Sequence, residues 1–178
     1  QVTQVEGSAE RSVLVEALGR WDEPPTCVVS LTAWGGRDDE ASEAVPLGFD
    51  QTLALLQALP ESDVTAPLFL LTQGAVCTSP SDELQAPEQA LIWGLGRVFG
   101  LEHAERFGGL LDLPAQIDGE GWSRACAWMA SGGSEDQAAL RRRGVFVRRL
   151  VRATPSALGQ GWRARGTVLI TGGTGALG

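Results

Sequence analysis

The sequence predicts an α/β fold with a mostly parallel sheet, and three observations support this. Short continuous apolar runs alternate with stretches whose apolar residues recur at helical spacing. Towards the C-terminus the alternation gives way to two short runs joined by Arg142-Arg-Gly144, which predicts a hairpin at the end of the sheet. A glycine-rich turn then follows the last apolar run of the chain.

The first half of the chain predicts two helices and two strands. The elements, in order, are a helix with Ser8 as its N-cap, a strand over 27–33, a polar loop over 35–43, a helix over 46–59 and a strand over 67–72. The last of these is apolar without alternation. Such a run is typical of a strand that is covered on both faces of a parallel sheet.

The second half continues the pattern. Its elements are a loop over 74–87, a helix over 88–101, a strand over 109–113, a helix over 120–131 and hairpin strands over 137–141 and 145–151. Gly94, Gly96 and Gly100 look like a glycine motif, but they lie inside the predicted helix. We therefore expect them to allow close packing of that helix on the sheet.

Composition is that of an ordinary globular protein, with 43% hydrophobic and 20% charged residues among 178. No apolar run approaches the roughly 20 residues that a membrane span requires, so we expect no membrane association. The three cysteines, Cys27, Cys77 and Cys126, are far apart and predict reduced core thiols in a cytoplasmic protein. With a single histidine, no metal site is predicted.

Charge is distributed unevenly along the chain, whose formal net charge is −8. All 22 acidic residues lie in 1–140, whereas 141–178 carries eight arginines and no acid. We expect these arginines to lie on solvated strand faces. The alternative is that the basic segment binds an acidic partner. Nucleic acid is excluded as a partner because the overall balance is acidic and no aromatic residues interleave with the arginines.

The strongest functional motif is the glycine-rich turn after Thr167 to Ile170, a β-branched, apolar run that predicts a buried strand. Gly173, Gly175 and Gly178 fit G-x-G-x-x-G, the dinucleotide fingerprint of Rossmann-like folds. In that motif the first glycine permits the tight turn, the second lets the backbone approach a pyrophosphate, and the third allows close helix–strand packing. The predicted cofactor-binding residues are Thr171, Gly172, Gly173, Thr174, Gly175, Ala176, Leu177 and Gly178.

Several segments in this order resemble the ketoreductase domains of modular type I polyketide synthases. They include Ala66-Pro-Leu-Phe-Leu-Leu-Thr-Gln-Gly-Ala-Val76, Trp93-Gly-Leu-Gly-Arg-Val-Phe-Gly-Leu-Glu-His103, Phe107-Gly-Gly-Leu-Leu-Asp-Leu-Pro114 and the terminal 166–178 run. The resemblance implies two Rossmann-like halves of the short-chain dehydrogenase/reductase type, each a three-layer sandwich. It assigns 1–152 to a truncated, degenerate structural half, 153–165 to a linker and 166–178 to the start of the catalytic half.

By this resemblance the intact domain uses NADPH to reduce the β-ketone of an intermediate carried by an acyl carrier protein. The implied partners are therefore the rest of the ketoreductase, its synthase module and the acyl carrier protein. The family's catalytic tyrosine and lysine have no counterpart here, because the chain contains neither residue. No catalytic residue is predicted within 1–178, and the adjacent pair Glu102-His103 is interpreted as a polar helix end.

Two functions from different classes remain open. The first is a fragment of an active ketoreductase, in which this segment mainly scaffolds the catalytic half. The alternative is a structural module of a redox-inactive ketoreductase within the synthase. The complete set of turn glycines favours the first.

Overall fold

The computed structural model describes residues 10–20, 23–34, 46–132, 135–152, 165–169 and 171–176. Within these residues there are four α-helices and five strands, which alternate up to the fourth strand; the fifth strand follows the fourth directly. Their bounds are α1 Arg11–Leu18, β1 Val28–Ser30, α2 Leu47–Ala58, β2 Leu68–Gln73, α3 Ala90–Glu102, β3 Phe107–Leu113, α4 Gly119–Ala130, β4 Gln137–Arg141 and β5 Gly144–Val147. In these ranges no helix combines the length and apolarity needed to cross a membrane.

The five strands form one sheet in the order β1-β2-β3-β4-β5. The first four are parallel, and β5 pairs with β4 in the antiparallel direction. In the centre, Leu70 is opposite Leu110 and Leu71 is opposite Leu111. The predicted parallel sheet with an antiparallel end is therefore confirmed.

Both faces of the central strands are covered by helices, which explains their continuous apolar sequences. Leu68, Leu70 and Leu110 pack on one face in a cluster that includes residues of α2 and α3. Phe69, Leu71 and Leu111 point to the opposite face and share a cluster with Ala125 of α4. Alternate residues of one strand thus feed two separate cores, and the three-layer Rossmann-like prediction is confirmed.

The glycines of α3 behave largely as packing residues. A Cβ at Gly96 would lie 2.9 Å from side-chain atoms of both Leu70 and Leu110, and one at Gly100 would lie 2.7 Å from Phe107. These two positions let the helix approach the sheet closely, as predicted. Gly94 differs, because nothing lies within 4 Å of its Cβ position.

The N-terminal elements begin and end differently from the prediction. The N-cap of α1 is Glu10 rather than Ser8, which lies outside the described residues, and the Glu10 side chain makes no capping bond. The strand predicted over 27–33 is shorter, because the backbone turns into a 3₁₀ helix at Thr32–Trp34. The Thr32 hydroxyl lies 2.8 Å from that of Ser30 and 2.7 Å from that of Thr52.

The hairpin is confirmed, but its second strand is shorter than predicted. The turn itself is Arg142-Arg143, and Gly144, with φ of +139°, begins β5 directly after it and pairs with Arg141. The strand ends at Val147, and Leu150 is fully exposed at 103%. Beyond Val147 the chain has left the β4 register, so the run 148–151 is not strand.

The prediction of core cysteines was wrong. Cys27, Cys77 and Cys126 are all free thiols and all exposed. Cys27 precedes β1, Cys77 lies in the loop after β2, and Cys126 sits beside buried Ala125 on the outer side of α4. The apolar character of cysteine therefore did not predict burial at these three positions.

Contacts divide the chain into two compact units, Gln1–Arg148 and Arg149–Gly178. In the second unit, 167–169 is exposed and forms no strand, contrary to the predicted buried strand. A buried parallel strand needs hydrogen-bonded neighbours, and none pairs with 167–169 in the described part of the chain. Ile170, the polar loop 35–43 and most of the 153–165 linker lie outside the described residues, so the proposed domain boundaries stay predictions.

Candidate functional site

The predicted cofactor turn is described from Thr171 to Ala176. Gly172 has φ of +70°, a conformation that a side chain would strain. Its carbonyl accepts a hydrogen bond of 2.9 Å from the amide of Gly175, which closes a tight turn. The tight turn therefore begins at Gly172, which is one residue before Gly173, the first glycine of the G-x-G-x-x-G motif.

Gly175 lies where the chain doubles back. A Cβ there would be 3.2 Å from the Gly172 carbonyl oxygen, closer than most real Cβ contacts. Thr171 to Ala176 are all exposed, and none carries charge. An exposed glycine-rich backbone fits a phosphate group through amides other than that of Gly175, which donates to the Gly172 carbonyl. Leu177 and Gly178 lie outside the described residues, so their assignment stays a prediction.

A second polar cluster lies at the carboxyl ends of β2, β3 and β4, where open α/β sheets commonly bind ligands. At its centre is Asp112, whose side chain is completely buried. One carboxylate oxygen accepts hydrogen bonds from the Thr72 hydroxyl at 2.6 Å and the Ala75 amide at 2.9 Å. The other accepts a charge-assisted bond of 2.7 Å from the Arg141 guanidinium.

The partners of Asp112 extend this cluster across the sheet edge. Arg141 also donates to the backbone carbonyls of Val76 at 2.6 Å and Asp112 at 3.2 Å. The Thr72 hydroxyl accepts from the Trp93 indole at 3.0 Å, which ties α3 to the same network. Buried charge is thus both paired and hydrogen-bonded, the condition under which it is tolerated in a protein interior.

The neighbouring loop is fixed by a second carboxylate, Asp82. It accepts hydrogen bonds from the hydroxyls of Thr78 and Ser79 and from both of their amides. The side-chain hydrogen bond from Thr78, followed by that from Ser79, holds the pKa of the Asp82 carboxyl well below its usual value. Asp82 also lies 4.0 Å from the Arg141 guanidinium.

The sequence prediction missed this cluster. Its one available signal was Asp112, a single acid inside the apolar strand Phe107–Leu113. A separation of 29 positions in the sequence hid the ion pair between Asp112 and Arg141, because only the parallel pairing of β3 with β4 brings their carboxyl ends together.

A cavity of about 400 Å³ also opens at this edge of the sheet. Its described lining includes Trp34, Phe49, Gln73, Glu88 and Ile92, with no arginine or glycine-rich turn among the lining residues. Gln73 itself is held by the carbonyls of Pro114 and Ala115, both at 3.0 Å. None of the described lining residues carries a positive charge that could pair with a dinucleotide phosphate.

Two other kinds of site were considered: the pair Glu102-His103 and a metal site. His103 ends α3, and its ring lies 5.1 Å from the ring of Phe99, consistent with a polar helix end. No group of three or more potential metal ligands occurs in the described part of the chain. No described residues form a catalytic constellation.

A mostly parallel five-stranded sheet with helices on both faces defines a Rossmann-type α/β domain. The chain belongs to a family of such domains in polyketide synthases. The family model described as "Polyketide synthase extender module SpnB, Rossmann fold domain" matches residues 2–150. The resemblance found in the sequence is thereby confirmed: the chain is part of a ketoreductase domain of a modular polyketide synthase.

Among similar curated proteins are polyketide synthase GfsA of Streptomyces halstedii and pikromycin polyketide synthase component PikAII of Streptomyces venezuelae. The first is 49% identical over 98% of this chain and 2% of its own length. The second is 44% identical over 90% of this chain and 4% of its own length. The chain is thus similar to a small part of each multidomain synthase.

Solved ketoreductases share both the sequence and the fold. An A1-type ketoreductase is 41% identical with a TM-score of 0.81, over 91% of this chain and 34% of that chain. A C2-type ketoreductase from a modular polyketide synthase is 40% identical with a TM-score of 0.75, over 86% of this chain and 34% of that chain. The chain therefore spans about a third of the ketoreductases it matches.

Proposed function

We propose that this chain is the scaffold and the phosphate turn of an NADPH-dependent ketoreductase. The intact domain would reduce the β-keto group of an intermediate bound to an acyl carrier protein. The observation that carries the proposal is the contrast between a packed sheet with a side-chain-filled edge and an exposed turn without charged side chains. The first suits a scaffold and the second suits a cofactor phosphate.

The residues of this chain would contribute binding rather than proton transfer. The exposed turn 171–176 would hold the pyrophosphate of the cofactor through backbone amides other than that of Gly175, which donates to Gly172, with Leu177 and Gly178 continuing the same turn. The nicotinamide, when bound, supplies hydride. Because the chain contains no tyrosine or lysine, any phenolic proton donor and its lysine would come from other parts of the ketoreductase.

The test compares the intact ketoreductase domain with this chain alone. We expect the intact domain to oxidise NADPH when given a β-ketoacyl thioester. The loss of absorbance of the reduced nicotinamide measures this reaction. We expect the 178-residue chain to show no turnover and no binding tighter than about millimolar, a free energy of about −4 kcal/mol. Turnover by the chain alone would contradict the assignment of its roles.

The second candidate, a scaffold within a redox-inactive ketoreductase, predicts the same fold and a different activity. In that case the unit that contains the sheet, Gln1–Arg148, here called the sheet unit, would fold unchanged, but the intact domain would not oxidise NADPH with any ketone. The complete glycine pattern of 172–178 favours the active form, because a turn without a ligand would be free to lose Gly175.

A further inference from the structure

Two arginines converge on one amide oxygen beside α3. Arg97, in the middle of that helix, donates through Nε to Oε1 of Gln137 at 3.0 Å. Arg148, which directly follows β5, donates to the same oxygen at 2.9 Å. One neutral acceptor therefore holds two positively charged guanidinium groups side by side. We name Arg97 and Arg148 the arginine pair.

The acceptor between the two arginines is held in place by its neighbours. The amide nitrogen of Gln137 donates to a carboxylate oxygen of Asp136 at 3.3 Å, which leaves its oxygen for the arginines. Ala138 is opposite Val147 in the antiparallel ladder, so Gln137 and Arg148 are neighbours at the end of that ladder. The arrangement is therefore built into the pairing of β4 with β5.

The surroundings of Arg97 are positively charged and accessible. Its guanidinium lies 5.8 Å from the ring centroid of buried Trp93, a cation–π distance that restrains it. Burial, followed by repulsion from Arg148, lowers the pKa of the Arg97 guanidinium, and attraction by Asp136 offsets only part of this shift. Both members of the arginine pair are exposed, so an anion from solvent can reach them.

The arginine pair is distinct from the polar cluster around Asp112. Gln137 begins the five-residue strand β4 and Arg141 ends it, so roughly 13 Å separates the two places. Arg141 is paired with a buried carboxylate, whereas Arg97 donates to a neutral amide. None of the ion pairs in the described part of the chain includes Arg97.

We propose that the arginine pair binds a tetrahedral phosphate group, carried by inorganic phosphate or by a phosphate monoester. One guanidinium presents a planar fork of N–H donors that the two oxygens of a carboxylate can satisfy. Two guanidinium groups held together call for more oxygens and more negative charge. A phosphate monoester supplies three oxygens and a charge of about −1.5 to −2. This site is separate from the glycine turn and goes beyond the proposed function.

Calorimetric titration of the intact ketoreductase domain with inorganic phosphate tests the site. Saturating NADPH occupies the cofactor site, and constant ionic strength is required because salt screens exposed charges. We expect a Kd of about 1 mM. Arg97→Gln and Arg148→Gln should each weaken binding at least about tenfold, because each removes a charge-assisted hydrogen bond.

The matched control removes the same charge elsewhere. Arg142 is exposed in the hairpin turn, at the other end of β4. Arg142→Gln should leave the phosphate Kd within about twofold, because only long-range attraction is lost. Equal weakening by Arg142→Gln and Arg97→Gln would reduce the effect to net charge and overturn the proposal.

A purely structural role of the arginine pair gives a different result. In that case the Gln variants would have a lower Tm without phosphate, while those that fold would keep the wild-type phosphate Kd, which would contradict the proposal. If they do not fold, Arg97→Lys replaces them. It keeps the charge but loses the planar fork, and it should weaken phosphate binding at least about threefold. An unchanged Kd in that variant would equally contradict the site.

Methyl phosphate and acetate identify the ligand. Methyl phosphate binding within about twofold of inorganic phosphate would assign the site to monoesters, and binding at least about tenfold weaker would assign it to free phosphate. Acetate should bind at least about tenfold more weakly than phosphate, because it carries one charge and two oxygens. Acetate binding as tight as that of phosphate would assign the site to acidic side chains of a protein and overturn the proposal, as would the absence of phosphate binding.

Discussion

The carboxyl edge of the sheet and the glycine turn differ in what occupies their hydrogen-bonding groups. At the edge, Asp112 is buried and its oxygens accept bonds from Thr72, Ala75 and Arg141. In the turn, residues 171–176 are exposed, and no charged side chain competes for their backbone. A polar edge whose groups bond to one another stabilises the fold, whereas the turn, with exposed backbone and one internal bond from Gly175 to Gly172, is where we propose that the cofactor phosphate binds.

The largest expected effect comes from breaking the edge. Arg141→Met should destabilise the chain by about 3–5 kcal/mol, because it leaves the Asp112 carboxylate buried without its charged partner. Denaturant unfolding measures the change. Arg142→Met, in the adjacent exposed turn, is the control and should cost less than about 0.5 kcal/mol. Equal costs for the two variants would mean that the buried ion pair contributes nothing beyond its surroundings.

The next effect concerns the turn and should leave the sheet unchanged. In the intact domain, Gly175→Val should weaken NADPH binding at least about 100-fold, or about 2.8 kcal/mol, because a side chain would crowd the Gly172 carbonyl and block approach of the pyrophosphate. Calorimetric titration measures the affinity, and Thr174→Ser is the control. Wild-type affinity in the Gly175 variant would remove the turn from the cofactor site.

A smaller effect is expected within the sheet unit itself, where two glycines of one helix have opposite environments. Gly96→Val should destabilise the chain by about 1–3 kcal/mol, because its side chain would overlap Leu70 and Leu110. Gly94→Val in the same chain enters open space and should change stability by less than about 0.5 kcal/mol. Thermal unfolding of both variants compares them. The packing role of Gly96 would be refuted if Gly94→Val destabilised the chain more than Gly96→Val.

The smallest effect is expected where the sheet unit ends. Leu150 is fully exposed, so Leu150→Asp should change the stability of the chain by less than about 0.5 kcal/mol. Val147→Asp is the contrast, because Val147 pairs with Ala138 and packs against the second core cluster. A loss above about 1 kcal/mol at Leu150 in denaturant unfolding would mean that the strand extends beyond Val147, as the sequence pattern first indicated.

Sequence patterns predicted the central elements because those patterns are local. The strands around Leu70 and Leu110, the helices α2, α3 and α4 and the turn at Gly144 all follow from apolar periodicity and turn residues within a few positions. The patterns failed where strand pairing or solvent exposure determines the structure. The stretch 148–151, two arginines followed by Leu150 and Val151, was predicted to continue the strand but has no neighbour in the described sheet, and Cys77, predicted in the core, is exposed.

Local patterns were sufficient to predict the α/β class, the order of the central elements and the glycine-rich turn, because apolar periodicity and backbone conformational freedom depend on neighbouring residues. The contact of Asp112 with Arg141 could not be predicted in this way, because it depends on the register of β3 with β4 at a sequence separation of 29. It likewise decided which side of the apolar helix α3 is buried. Periodicity shows where apolar residues lie along a helix, but only the packing of other elements removes one face from water.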